Sequence, residues 1–118
     1  MEPGGAAKAV SQMRRGVLEF CVLALLRDGQ RYGVELLREL GSVDALVVSE
    51  GTIYPLLSRL RKEQMVDTIW QESPSGPPRR YYRLTEVGEK ALAEFVAEWG
   101  RFRDGVEYIL TANGGGQT

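Results

Sequence analysis

Apolar residues recur at intervals of three and four along most of this chain, with one stretch richer in β-branched and aromatic residues between them, and that contrast predicts the element order. Over residues 12–27, Val17, Leu18, Cys21, Val22, Leu25 and Leu26 follow the helical repeat, while Phe20, Leu23 and Ala24 widen the apolar face. Such a helix is enclosed on most sides. Asp28-Gly29-Gln30 ends it, with Gly29 expected in the left-handed conformation of a helix stop. Val34, Leu37 and Leu40 predict a short second helix over 33–40, broken by Gly41-Ser42. Residues 43–48 then lead to Ser49, the expected N-cap of a third helix over 50–63. Ile53, Leu56, Leu57 and Leu60 form its inward stripe, and Thr52, Tyr54, Ser58, Arg59, Arg61 and Lys62 its other face. Pro55 falls inside this helix, where it removes a backbone bond and presses on the carbonyl of Gly51; the glycine is read as accommodating that strain.

Residues 65–71 and 79–84 carry the strand-forming side chains, and Ser73-Pro74-Ser75-Gly76-Pro77-Pro78 between them is turn chemistry, so a β-hairpin with a stiff tip is predicted. Thr85 is the expected N-cap of a last helix, with Glu86 and Glu89 complementing its start. Running to about residue 110, it would be about 39 Å long at ~1.5 Å per residue, which is long for so small a domain. Residues 1–10, with Gly4, Gly5 and Ala6, and 111–118, with Gly114-Gly115-Gly116-Gln117-Thr118, lack apolar periodicity and are read as flexible tails. The expected fold is therefore mainly α with a small β-hairpin: a winged helix-turn-helix over 11–84 followed by one long C-terminal dimerisation helix over 85–110.

In that plan the third helix enters the major groove and the hairpin lies on the flanking backbone. A net charge of −1 argues against a general affinity for nucleic acid. Its placement does not: residues 49–84 hold six cations against four carboxylates, and the remainder nine against twelve. The candidate DNA-facing residues begin with Ser49, Glu50, Thr52 and Tyr54 and continue with Ser58, Arg59 and Lys62, short hydrogen-bonding groups ahead of cations. Arg79 and Arg80 beside the hairpin tip suit phosphate or minor-groove contacts. An ordinary solvated face would carry the same residue types, so the pattern alone leaves both readings open.

Other classes fare worse. The chain has no histidine, one cysteine within an apolar run and no carboxylate cluster beside a nucleophile, so neither an enzyme, a zinc site, another metal site nor a cofactor is expected. Cys21 forms no intrachain disulfide and reads as a small buried hydrophobe, natural in a reducing compartment. Its run is too short to span a bilayer and residues 2–9 lack a signal-peptide core, so a cytoplasmic protein without a membrane partner is expected. A winged helix serving as a protein-interaction or RNA-binding module remains the alternative function.

Several motifs occur in order: Tyr32-Gly33; Gly51-Thr52-Ile53-Tyr54-Pro55 with Leu57, Arg59 and Leu60; Trp70; Gly76; Arg79-Arg80-Tyr81-Tyr82; and Leu84-Thr85 before Gly88. In these the chain resembles the PadR-type transcriptional regulators over nearly all of its length between the tails. The single terminal helix resembles that family's short subgroup. The resemblance implies a homodimer formed through the last helix that represses transcription from a palindromic double-stranded operator. It places Tyr32, Ser49, Thr52, Tyr54 and Pro55 at or near DNA and Arg79 and Arg80 on the wing, with Tyr81 and Tyr82 anchoring the hairpin. Two positions depart from the family pattern. Arg61 stands where an acidic residue is common, and Gln64 where glycine commonly ends the third helix, so the entry to the wing is expected to be built differently.

Leu92, Phe95, Trp99, Phe102, Val106 and Ile109 are spaced three, four, three, four and three apart, a heptad seam suited to pairing two copies. Its first part also suits packing on the chain's own core. Trp99 is similar in place to a tryptophan that stacks on flat aromatic compounds between subunits in multidrug-sensing relatives. That likeness implies an effector pocket lined by Phe20, Val96 and Trp99, with Phe95 or Phe102; a filled dimer core is the alternative. Arg14, Arg15, Arg101 and Arg103 flank the seam and could receive an anionic effector, in competition with salt bridges to Glu98 or Asp104.

Overall fold

The structure, a computed structural model, describes residues 5–112; the tail assignments over 1–4 and 113–118 lie outside the described residues. The elements are α1 (Gly5–Arg27), β1 (Arg31–Tyr32), α2 (Gly33–Gly41), a 3-10 turn (Asp44–Leu46), α3 (Glu50–Lys62), β2 (Val66–Ser73), β3 (Gly76–Leu84) and α4 (Glu86–Ala112). The three strands form an antiparallel sheet in the order β1-β3-β2. Mainly helical with a small sheet, the chain has the expected winged-helix order.

One core joins these elements. Leu18, Val22, Leu23 and Leu26 from α1 meet Leu36 and Leu40 from α2, the four inward residues of α3, and Val66, Tyr82 and Leu92. Each fully buried Leu or Ile contributes about 1.5–3 kcal/mol of transfer free energy. Four expectations need correction. α1 starts at Gly5, because Ala7 and Ala9 favour helix even without an apolar stripe. In α2 the buried residues are Gly33, Leu36 and Leu40, while Val34 is exposed; adjacent Leu36 and Leu37 fit two helical registers and packing selects one. Gly29 has φ of 153°, a glycine-only region but not the left-handed helical one. α4 includes Thr111 and Ala112, which were assigned to the tail.

The wing is longer than its β-branched residues indicate. β2 and β3 pair from Val66↔Leu84 to Ser73↔Gly76, with an irregularity after Gln71↔Arg79. One residue of β2, Glu72, there stands against two of β3, Pro77 and Pro78, which is where prolines without N–H groups are tolerated. β1 covers only Arg31 and Tyr32, paired with Tyr82 and Tyr81. The Arg31 guanidinium fixes it, donating to the carbonyls of Leu25 and Gly29 and to Glu39.

The corner between α3 and α4 is tightly made. Gln64 adopts φ of 63°, its N–H donates to the Arg61 carbonyl, and the Met65 N–H donates to the Leu60 carbonyl. This is the glycine-type helix stop built with glutamine, so the expected difference at the wing entry is not one of geometry; it costs about 1 kcal/mol. Thr85 then caps α4: its hydroxyl accepts from the Gly88 N–H at 3.0 Å and donates to the Gln64 carbonyl at 2.6 Å. Gly88 lies so close to the chain before β2 that a Cβ there would sit 2.1 Å from the Met65 carbonyl oxygen.

Candidate nucleic-acid interface

α3 divides the residues that the sequence places on one polar face. At 100° per residue, the side opposite Ile53, Leu56, Leu57 and Leu60 is centred on Gly51, Pro55, Ser58 and Lys62, all exposed. Thr52 and Arg59 lie on the flank toward α1. Tyr54 lies on the other flank, its ring against the start of α2: a Cβ on Gly33 would fall 2.5 Å from Tyr54 Cε1. Burial, reinforced by the Glu50 carboxylate, pushes the Tyr54 phenol up. Gly51, absent from the expected DNA-facing set, is outward too, at helical spacing from Pro55, Ser58 and Lys62. Ser49 begins the helix, but its hydroxyl lies 3.3 Å from the Thr52 hydroxyl, and the Thr52 and Ile53 N–H groups donate to the Ser49 carbonyl instead.

Arg59 already has partners. Its guanidinium donates to Glu19 of α1 at 2.8 Å and to both Glu63 carboxylate oxygens at 3.1 and 3.2 Å. The hydrogen bond to Glu19 is the main reason its pKa is raised. Arg61 and Lys62 form no ion pair among the described residues.

On the wing, cations lie on aromatic rings. The Arg79 guanidinium carbon is 4.5 Å from the centre of the Tyr32 ring, and that of Arg80 is 5.0 Å from Trp70, its cross-strand partner. Each such pair contributes about 0.5–1 kcal/mol and holds the guanidinium over its ring. Tyr32 also meets Tyr81 edge to face at 5.4 Å, and Tyr82 is buried, so both β3 tyrosines fasten the wing. Arg83 is taken up by Asp67, at 3.0 and 3.2 Å. Trp70, 62% exposed, joins the wing surface beyond the arginines expected there. Its signal was the register that sets it opposite Arg80.

The proposed seam of α4 divides too. Leu92 is buried in the chain's own core and is not available for pairing. Phe95 stacks on Phe20 at 4.1 Å and 5°, Trp99 on Phe95 at 5.6 Å, and Phe102 lies 6.3 Å beyond. Phe102, Val106 and Ile109 are exposed. Of the ligand-lining set, Phe20 and Trp99 are joined through Phe95, while Val96 borders a cleft of about 720 Å³ with Leu26, Arg83 and Leu92. Arg14 donates to the Ala45 carbonyl at 2.7 Å, because α1 passes the 3-10 turn there, and Arg103 pairs with Asp104 at 3.0 Å. Among the described residues no cluster could hold a metal ion, and no helix is long and apolar enough to cross a membrane.

The profile of the transcriptional regulator PadR-like family matches residues 22–94. Two solved structures illustrate the likeness. A PadR family transcriptional regulator from Eggerthella lenta is 34% identical, covers 92% of this chain and 94% of its own, and superposes with a TM-score of 0.78. A PadR-like regulator from Bacillus cereus is 40% identical over 84% of this chain and 96% of its own, with a TM-score of 0.76. A transcriptional regulator of Mycobacterium tuberculosis is 34% identical over 70% of this chain and 76% of its own. The family and these neighbours are regulators of transcription and not enzymes, and this chain belongs to the PadR-like family of transcriptional regulators.

Proposed function

We propose that the chain acts as a homodimeric repressor, each copy laying α3 into the major groove of one half of a palindromic operator with the wing on the adjoining backbone. One observation carries this most directly. The exposed ridge of α3 ends in Lys62, unpaired among the described residues, while the wing holds Arg79 and Arg80 over aromatic rings. Groove-reading and phosphate-binding groups thus stand ready on one small domain. Tyr32, Ser49, Glu50, Thr52, Tyr54 and Pro55 belong to the same proposed surface.

The test uses a duplex recovered by in vitro selection with the wild-type chain. Lys62→Ala should bind it roughly three- to tenfold more weakly, and its log–log salt slope should be shallower by about 0.9, as for one lost phosphate contact. Equal, weak binding of the wild type to any duplex would sink operator recognition and favour the protein- or RNA-binding alternative.

The aromatic ladder supports a second part of the reading. Phe20, Phe95, Trp99 and Phe102 offer successive ring faces, suited to a flat aromatic effector between two chains that releases the operator. Arg14 and Arg103 are engaged elsewhere, so the anionic effector has the weaker support. Titration with planar aromatic dyes should quench Trp99 fluorescence in a Trp70→Phe background. Unchanged emission across such dyes would remove the effector site.

A further inference from the structure

A recognition helix about 10–12 Å across fills a major groove about 12 Å wide, so phosphates line both of its flanks. On one flank Tyr54 meets the start of α2. The opposite flank, carrying Thr52 and Arg59, is bordered by α1 across a cleft of about 460 Å³ that Arg15, Leu18 and Pro55 also line. Arg15 is exposed and makes no ion pair or hydrogen bond among the described residues. Arg59 faces the same cleft but is held by Glu19, whose side chain is only 19% exposed, and by Glu63. Two arginines at one small cleft, one without a partner and one restrained by carboxylates, have the chemistry of a site for a single added anion.

Resting on the reading of α3 as the recognition helix, we propose that this cleft seats a phosphodiester of the operator backbone, with Arg15 as its standing cation and Glu19 as the carboxylate that withholds Arg59 from it. Binding there exchanges the Arg59–Glu19 hydrogen bond for Arg59–phosphate and leaves the largely buried Glu19 carboxylate without that partner. The carboxylate therefore taxes every association with DNA. Removing its charge should tighten binding, an effect opposite to that of losing an ordinary interface residue.

The experiment measures binding of the same selected duplex, over a salt series, to the full chain and to Arg15→Ala, Glu19→Gln and Arg59→Ala, with Lys62→Ala as the reference and thermal melts to verify folding. Arg15→Ala should bind roughly three- to tenfold more weakly with a slope shallower by about 0.9. Glu19→Gln should bind several-fold more tightly with a steeper slope, and the gain should vanish in the Arg59→Ala background. Arg15→Ala binding as wild type, while Lys62→Ala is weakened, overturns the phosphate seat and leaves the recognition helix standing. A folded Glu19→Gln that binds no more tightly overturns the role given to Glu19. No binding of any duplex by the wild type removes both the seat and the reading it rests on.

Discussion

Gly88→Ala should lower the melting temperature by about 8–16 °C, the largest stability effect expected of a single methyl group in this chain. The added carbon would lie 2.1 Å from the Met65 carbonyl oxygen and 2.6 Å from Leu84 Cδ1. Leucine's end can rotate away; the carbonyl cannot. Met65 O accepts from the Thr85 N–H at 3.1 Å, and the Met65 N–H is committed to the Leu60 carbonyl at 2.9 Å, so moving this peptide breaks the stop of α3 or the entry to α4. Overpacking alone costs about 1–3 kcal/mol, and a lost hydrogen bond about 1 kcal/mol more. At about 4 °C per kcal/mol for a chain of this size, the shift follows. Thermal unfolding followed by circular dichroism checks it; a shift under about 4 °C would mean that the corner yields more easily than its hydrogen bonds imply.

The double variant Phe102→Asp/Ile109→Asp should sediment as a monomer and bind the selected operator at least about 100-fold more weakly, while keeping its helical content. Both side chains are well exposed, 64% and 69%, on a helix that carries Val106 between them and Tyr108 and Leu110 beside them. The contact given up within the chain is the tilted Trp99–Phe102 ring pair at 6.3 Å, which lies within α4, so folding of the winged domain is spared. Two carboxylates facing their counterparts across a two-fold axis would have to be desolvated together, which an apolar seam of this size cannot offset. Losing the second half-site removes the gain from effective concentration, about 10²–10⁴ in affinity. Retention of the dimer would place the pairing surface elsewhere.

Sequence periodicity located α3 well because Ile53, Leu56, Leu57 and Leu60 admit one helical register, and all four are buried. It located α2 but not its face, since consecutive leucines leave the register to tertiary packing. β1 could not be read at all: two residues, Arg31 and Tyr32, become a strand only by meeting Tyr82 and Tyr81, far along the chain. The approach to α3 was equally opaque, because Val47 adopts φ of 48°, which a β-branched residue takes only when its surroundings impose it. At the candidate interface the residue types were legible and their partners were not. Nothing local in the sequence joins Arg59 to Glu19, 40 positions away, or tells that Arg14 serves the 3-10 turn.

The corner at Gln64, Thr85 and Gly88 has a geometric consequence for the DNA. It ties the end of α3 to the start of α4 across the base of the wing, so in the proposed pair of chains joined by α4 the separation of the two α3 helices is carried by a rigid elbow. Inserting one base pair between half-sites rotates one of them by about 35° around the duplex. An arm with slack would absorb that turn; this one transmits it to the groove as misalignment. In the proposed dimer, the spacer length that an operator must have is thus written into a threonine hydroxyl and a missing Cβ.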